Sequence, residues 1–121
     1  MPDAHVLTAI SDLFFAAKVD ATLKPLGYAV VKTNTAQEIA AAAADGPPAC
    51  LVLDLDHRGL DAMQLIERLK GETGPPVKIL AYTNHGNVDG IRRALALGAD
   101  KVVARSELSA HLPQLIATLT A

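Results

Sequence analysis

The sequence predicts an α/β fold, a doubly wound parallel sheet of five strands flanked by five helices, and two observations predict it. Short apolar runs alternate five times with stretches of helical spacing. The runs are nearly continuous in Val, Ile, Leu and Ala, the pattern of strands covered on both faces. They fall at residues 6–10, 28–31, 49–53, 77–82 and 101–104. Phe15, Val19, Leu23 and Leu26 recur at three to four residues and predict the first helix, which Pro25 shortens. Thr35-Ala36-Gln37-Glu38 is a capping box opening an Ala-rich second helix, stopped by Gly46-Pro47-Pro48. Ala62, Leu65, Ile66 and Leu69 make the apolar face of the third, and Ile91, Ala94 and Leu95 that of the fourth. Leu112, Leu115, Ile116 and Leu119 mark the last. Gly27 and Gly98 stand where helices end, and Gly74-Pro75-Pro76 precedes the fourth strand.

At 121 residues the chain is read as a single domain spanning 1–121. Aromatics make up only 3%, so the core is expected to be aliphatic. A net charge of −2 gives no electrostatic reason to expect nucleic acid or an anionic membrane as direct partner. Cys50 is alone and cannot form an internal disulfide. With no signal-peptide pattern and no apolar run of membrane-spanning length, a cytoplasmic protein is expected.

In a doubly wound sheet the site lies outside the carboxyl ends of the strands, where strand order reverses. The stretch Leu51-Val52-Leu53-Asp54-Leu55-Asp56 is a strand that ends in a carboxylate. Asp12 follows the first strand, Thr83 ends the fourth and Arg105 follows the fifth. A parallel sheet brings Asp12, Asp54, Thr83 and Arg105 to one rim. Carboxylates and a backbone carbonyl suit Mg²⁺. An Asp can attack phosphorus, and a hydroxyl and a cation can hold phosphoryl oxygens.

With these residues in order on a five-fold βα pattern, the chain resembles the receiver domains of two-component response regulators over nearly its whole length. "CLVLD" ends in Asp54, "DLDHRGLDA" matches the loop with Gly59, Leu60 and Asp61 in place, and "LAYTNHG" carries Thr83 ahead of "LGAD" and Arg105. The resemblance implies the receiver fold, with Asp54 as phosphoacceptor and Thr83 as switch hydroxyl. It implies Mg²⁺ held by Asp12, Asp54 and the Asp56 backbone carbonyl. It implies phosphate from a histidine kinase or phosphotransfer protein, and output through a downstream protein target or a homodimer, rather than enzymatic activity. Since no effector segment follows the last helix, a stand-alone regulator is expected.

Several positions depart from the family pattern. Ser11 stands in place of the first acidic residue of the metal site, which weakens Mg²⁺ binding. Arg105 replaces Lys, Ser106 replaces Pro, Val102 replaces the switch aromatic, Arg58 a Pro and Ala62 a Gly. Ser11, Val102, Arg105 and Ser106 favour an alternative, a pseudo-receiver that binds partners without phosphorylation. A second alternative takes Asp54-Leu55-Asp56 as the DxD motif of an aspartate-nucleophile phosphatase, although Arg58 does not fit that motif and little chain follows it.

Each site residue also has a plain structural role available. Asp54 could cap a turn, Asp12 could cap the first helix, and Arg105 could pair with Asp54 or Asp12. Arg could also hold phosphate bidentately where Lys is a point charge. The four histidines lack metal-ligand spacing, and His57 and His85 are expected to be solvated loop residues. Of Leu13-Phe14-Phe15, at least one belongs in the core, and Leu13 or Phe14 is a candidate partner contact.

Overall fold

The computed structural model of the chain describes residues 5–46, 48–71 and 77–120. Its strands are β1 (His5–Ala9), β2 (Ala29–Lys32), β3 (Cys50–Asp54), β4 (Ile79–Thr83) and β5 (Lys101–Ala104). Its helices are α1 (Leu13–Leu23), α2 (Ala36–Asp45), α3 (Ala62–Leu69), α4 (Val88–Leu97) and α5 (Arg105–Thr120). All neighbouring strands pair in parallel, in the order β2-β1-β3-β4-β5. The order reverses between β1 and β3, so the crevice of such a sheet opens above those two strands.

Alternation along the strands sends side chains to two separate cores. Leu7, Leu51, Leu53, Ile79 and Ala81 face one way and pack with Ile39, Leu65, Ile66 and Ala94 of α2, α3 and α4. Val6, Val52, Leu80, Tyr82 and Val103 face the other way and pack with Phe15, Val19, Leu23, Leu108, Leu112 and Ile116 of α1 and α5. Strands β1, β3 and β4 are accordingly buried almost throughout. The expectation of burial on both faces fails for β2, which is mostly exposed, and for β5, because both are sheet edges.

The helix ends follow their local chemistry. Pro25 does shorten α1, which passes into a 3-10 turn at Lys24–Leu26 and ends on Gly27 at φ 93°. That turn swings Leu26 outward, so it is exposed rather than part of the first helix face. Thr35 caps α2 as expected: its hydroxyl accepts the Glu38 N–H, and Glu38 accepts the Asn34 N–H. Asp61 caps α3 by accepting the Gln64 N–H, which explains the third Asp of the "DLDHRGLDA" stretch. On α4 the buried residues are Gly90 and Ala94, while Leu95 is 48% exposed, so its apolar face is narrower than the spacing predicts. Helix α5 is interrupted at His111 (φ −130°), two residues before Pro113, whose ring and missing N–H disrupt a continuous helix. Pro47 and Gly74-Pro75-Pro76 lie outside the described residues.

Candidate functional site

Asp54 is the last residue of β3, between β1 and β4, and is 7% exposed. The chain turns immediately after it, with the His57 N–H donating to the Asp54 carbonyl. That turn brings the Asp56 N–H onto Asp54 Oδ1 at 2.8 Å. The Ser11 hydroxyl lies 3.4 Å from Oδ2, a long donor contact. A buried carboxylate is therefore left with one good hydrogen bond and an opening to solvent.

Asp12 is the N-cap of α1, and both its oxygens are engaged. Oδ1 accepts the N–H groups of Phe14 and Phe15 at 2.9 and 3.1 Å. Oδ2 pairs with the Arg105 guanidinium at 2.5 Å. That Arg105 hydrogen bond, seconded by the Phe15 amide, holds the Asp12 carboxyl below its ordinary range. The guanidinium also lies over the Phe15 ring, 4.4 Å from its centroid. Of the ion pairs open to Arg105, the one formed is to Asp12.

Thr83, at the tip of β4, is buried and doubly bonded. Its hydroxyl donates to Asp56 Oδ2 at 2.7 Å and accepts from Asn87 Nδ2 at 3.1 Å. It faces Asp56, not Asp54. Asn87 is a residue that sequence spacing did not single out. Its Oδ1 also accepts the Gly90 N–H as the cap of α4, and a Cβ at Gly90 would sit 2.3 Å from Asn87 Nδ2, so a side chain there would push the Asn87 amide off its present position.

One cleft of about 930 Å³ gathers Ser11, Asp12, Asp54, Asp56, Thr83 and Arg105, as the strand-tip argument expected. Tyr82 also lines it, and the sequence reading passed over this residue as a strand position. Tyr82 is in register with Asp54, which is the signal that could have drawn attention to it. Phe15 packs on its ring at a centroid distance of 5.0 Å. His85 is exposed at the rim as expected. His57 is not a solvated loop residue: it is 8% exposed, accepts the Gly59 N–H on Nδ1 at 2.9 Å, and lies 3.3 Å through Nε2 from Asn34 Oδ1. It braces the loop after β3 against the one after β2.

Among the described residues, no three His, Cys, Asp or Glu side chains come together as a metal cluster. Asp12, Asp54 and the Asp56 main-chain carbonyl are oxygen donors, the kind Mg²⁺ prefers, and Mg²⁺ needs few protein ligands. They fit such an ion in kind, and in place only when Arg105 releases Asp12.

The model of the response regulator receiver domain family matches residues 11–117. The transcriptional regulatory protein FixJ of Bradyrhizobium diazoefficiens is 30% identical over 95 residues, covering 78% of this chain and 46% of that protein. This chain thus spans about half the length of that relative. Among solved structures, the signal receiver domain of a response regulator from Bermanella marisrubri superimposes with a TM-score of 0.86 at 22% identity, covering 97% of this chain and 98% of that one. The receiver domain of the sensor histidine kinase PA1611 from Pseudomonas aeruginosa PAO1, in which a magnesium ion is coordinated in the active-site cleft, matches with a TM-score of 0.82 at 18% identity and 98% coverage of both chains. These structures share the fold. With the family model matched over residues 11–117 and a relative 30% identical over 78% of it, the chain belongs to the response regulator receiver domain family of two-component signalling.

Proposed function

We propose that the domain accepts a phosphoryl group on Asp54 from the phosphohistidine of a histidine kinase or phosphotransfer protein, and passes the signal on by changing its binding to a downstream protein. The observation that carries this reading is Asp54 itself, a buried carboxylate at a central strand tip that opens into a cleft with Asp12, Thr83 and Arg105. A carboxylate oxygen attacks phosphorus. The phosphorus–nitrogen bond of the donor breaks as the oxygen–phosphorus bond forms, and the imidazole leaves with the bonding pair and takes up a proton. Asp54 is the recipient, so the domain is read as a signalling module rather than an enzyme.

The ligands for Mg²⁺ in this reading are Asp54, Asp12 and the Asp56 main-chain carbonyl. When bound, the ion supplies positive charge beside the phosphoryl oxygens. Ser11 contributes no charge, so binding is weak, and Arg105 has to leave Asp12 for the ion to enter. Arg105 then becomes free to hold a phosphoryl oxygen, and Thr83 can hold another once it exchanges its bond to Asp56. The net charge of −2 supports proteins, rather than nucleic acid or membrane, as direct partners. Among the described residues no helix is long and apolar enough to cross a membrane. A cytoplasmic location belongs to the same reading, and light scattering before and after phosphorylation tests for a homodimer.

The Asp12–Arg105 pair favours the second reading, a pseudo-receiver whose closed rim binds partners without phosphate. The DxD phosphatase reading needs Asp56 as acid and base, whereas its carboxylate is engaged by Thr83. Intact mass after incubation with acetyl phosphate and Mg²⁺, beside an Asp54→Asn control, decides between the first two. One added phosphoryl group on the parent and none on the control supports the receiver. No adduct on the parent and no Mg²⁺ binding in a titration leave the pseudo-receiver.

A further inference from the structure

Two buried side-chain oxygens among the described residues have no hydrogen-bond partner, Asp20 Oδ1 and the Tyr82 hydroxyl. Asp20 pairs through its other oxygen with Lys24 at 3.0 Å. Tyr82 has no other polar side-chain atom, and only 2% of the residue is exposed. A donor buried without an acceptor is costly, so its position calls for a reason.

Its surroundings supply one. Tyr82 and Asp54 are register partners on β4 and β3, so their side chains leave the same face of the sheet, toward α1 and α5. Phe15 fixes the ring from one side, and Arg105 covers Phe15 in turn. The phenol is an O–H donor at neutral pH, and the Asp54 carboxylate is the polar side chain it approaches, without meeting it in a formed hydrogen bond. The other phosphoryl ligands of the cleft are engaged: Thr83 donates to Asp56, and Arg105 is paired with Asp12. Each must break an existing bond before it can turn to Asp54. The Tyr82 O–H breaks none.

We propose that the Tyr82 hydroxyl is a phosphoryl-binding donor, held ready for an oxygen of the group carried on Asp54. The inference rests on the phosphoacceptor reading of Asp54. Phosphorylation replaces one carboxylate oxygen by a tetrahedral group with three outlying oxygens and close to two negative charges, which extends the acceptor beyond the reach of Asp54 alone. A fixed donor in a desolvated wall stabilises that charge without reorganising.

Tyr82→Phe tests this, because it keeps the ring packing and removes only the hydroxyl. The probe is beryllofluoride with Mg²⁺, titrated against parent, Tyr82→Phe and Asp54→Asn chains. Expected results are a Tyr82→Phe chain at least as stable to heat as the parent without probe, about tenfold weaker probe binding, and faster loss of the phosphoryl group after acetyl phosphate treatment. Equal probe affinity and equal phosphoryl lifetime in parent and variant would overturn the proposal. So would a variant less stable than the parent without probe, since the hydroxyl would then already have a partner. In the parent, probe binding should also perturb the tyrosine ultraviolet spectrum, and Tyr28→Phe should leave that change in place. A perturbation lost with Tyr28 instead overturns the assignment. A parent that binds no probe and takes up no phosphoryl group sinks the reading of Asp54, and this one with it; a parent that binds while Tyr82→Phe binds equally sinks this one alone.

Discussion

The Thr83 hydroxyl donates to the Asp56 carboxylate at 2.7 Å, and this bond turns it to Asp56 rather than to Asp54 in the cleft they share. A hydrogen bond to a charged group is worth about 1.5–3 kcal/mol, so Thr83 does not leave it without a comparable gain elsewhere. Asp56→Ala should therefore raise the initial rate of phosphoryl uptake from acetyl phosphate by about tenfold, while Asp56→Asn, which keeps an acceptor, should change it much less. Equal rates in parent and Asp56→Ala would show that Thr83 plays no part in uptake.

Arg105 stands in the way of a cation. Replacing it by Gln removes the ion pair and leaves Asp12 Oδ2 without its cation, in the cleft it shares with Asp54. Mg²⁺ affinity measured by calorimetry should rise about tenfold in Arg105→Gln. An unchanged affinity would mean that the neutral Ser11, and not the guanidinium, limits the site.

The same pair has an acid signature. Arg105, and then the Phe15 amide, lower the Asp12 carboxyl below its ordinary value of 3.8. A carboxyl depressed in the folded state contributes stability that is fully present above the unfolded value and is lost as pH falls through the folded one. Denaturation midpoints followed from neutral pH down past 3.8 should fall less steeply in Arg105→Gln than in the parent. Identical slopes would mean that the pair contributes nothing to acid stability. Because both groups are substantially exposed, added salt should shrink the difference.

The two-core packing predicts where substitutions matter. Leu53 is fully buried in the middle of the sheet, so Leu53→Ala should cost about 2–5 kcal/mol in urea unfolding. Phe14, 90% exposed on the first turn of α1, should tolerate Ser within about 0.5 kcal/mol. A large loss at Phe14 would mean that its ring is covered in solution.

How much of this was legible in the sequence follows from the range of each signal. Strand positions, helix caps and the convergence of Asp12, Asp54, Thr83 and Arg105 come from local patterns plus the parallel-sheet rule, and the family resemblance rested on the same residues. Which strands are edges depends on strand order, which no local run of Val and Ile records; so β2 read as buried. Leu26 and Leu95 kept the helical period yet turned outward, one because of the turn after Pro25 and the other because α4 packs on a narrow face. The burial of His57, and the choice of Asp56 rather than Asp54 by Thr83, depend on contacts between loops 23 to 27 residues apart. Such contacts leave no trace in spacing. The break at His111 was readable from Pro113, and the apolar period of the last helix hid it.

The ion pair between Asp12 and Arg105 joins residues 93 positions apart and works as a stitch along a seam. Asp12 caps α1 and Arg105 is the first residue of α5, so it fastens two neighbouring helices on one face of the sheet at the end where the cleft opens. Whatever draws Arg105 toward Asp54 unpicks that stitch at the open end of the cleft, while the apolar packing of Phe15, Val19, Leu108 and Leu112 stays in place beneath it.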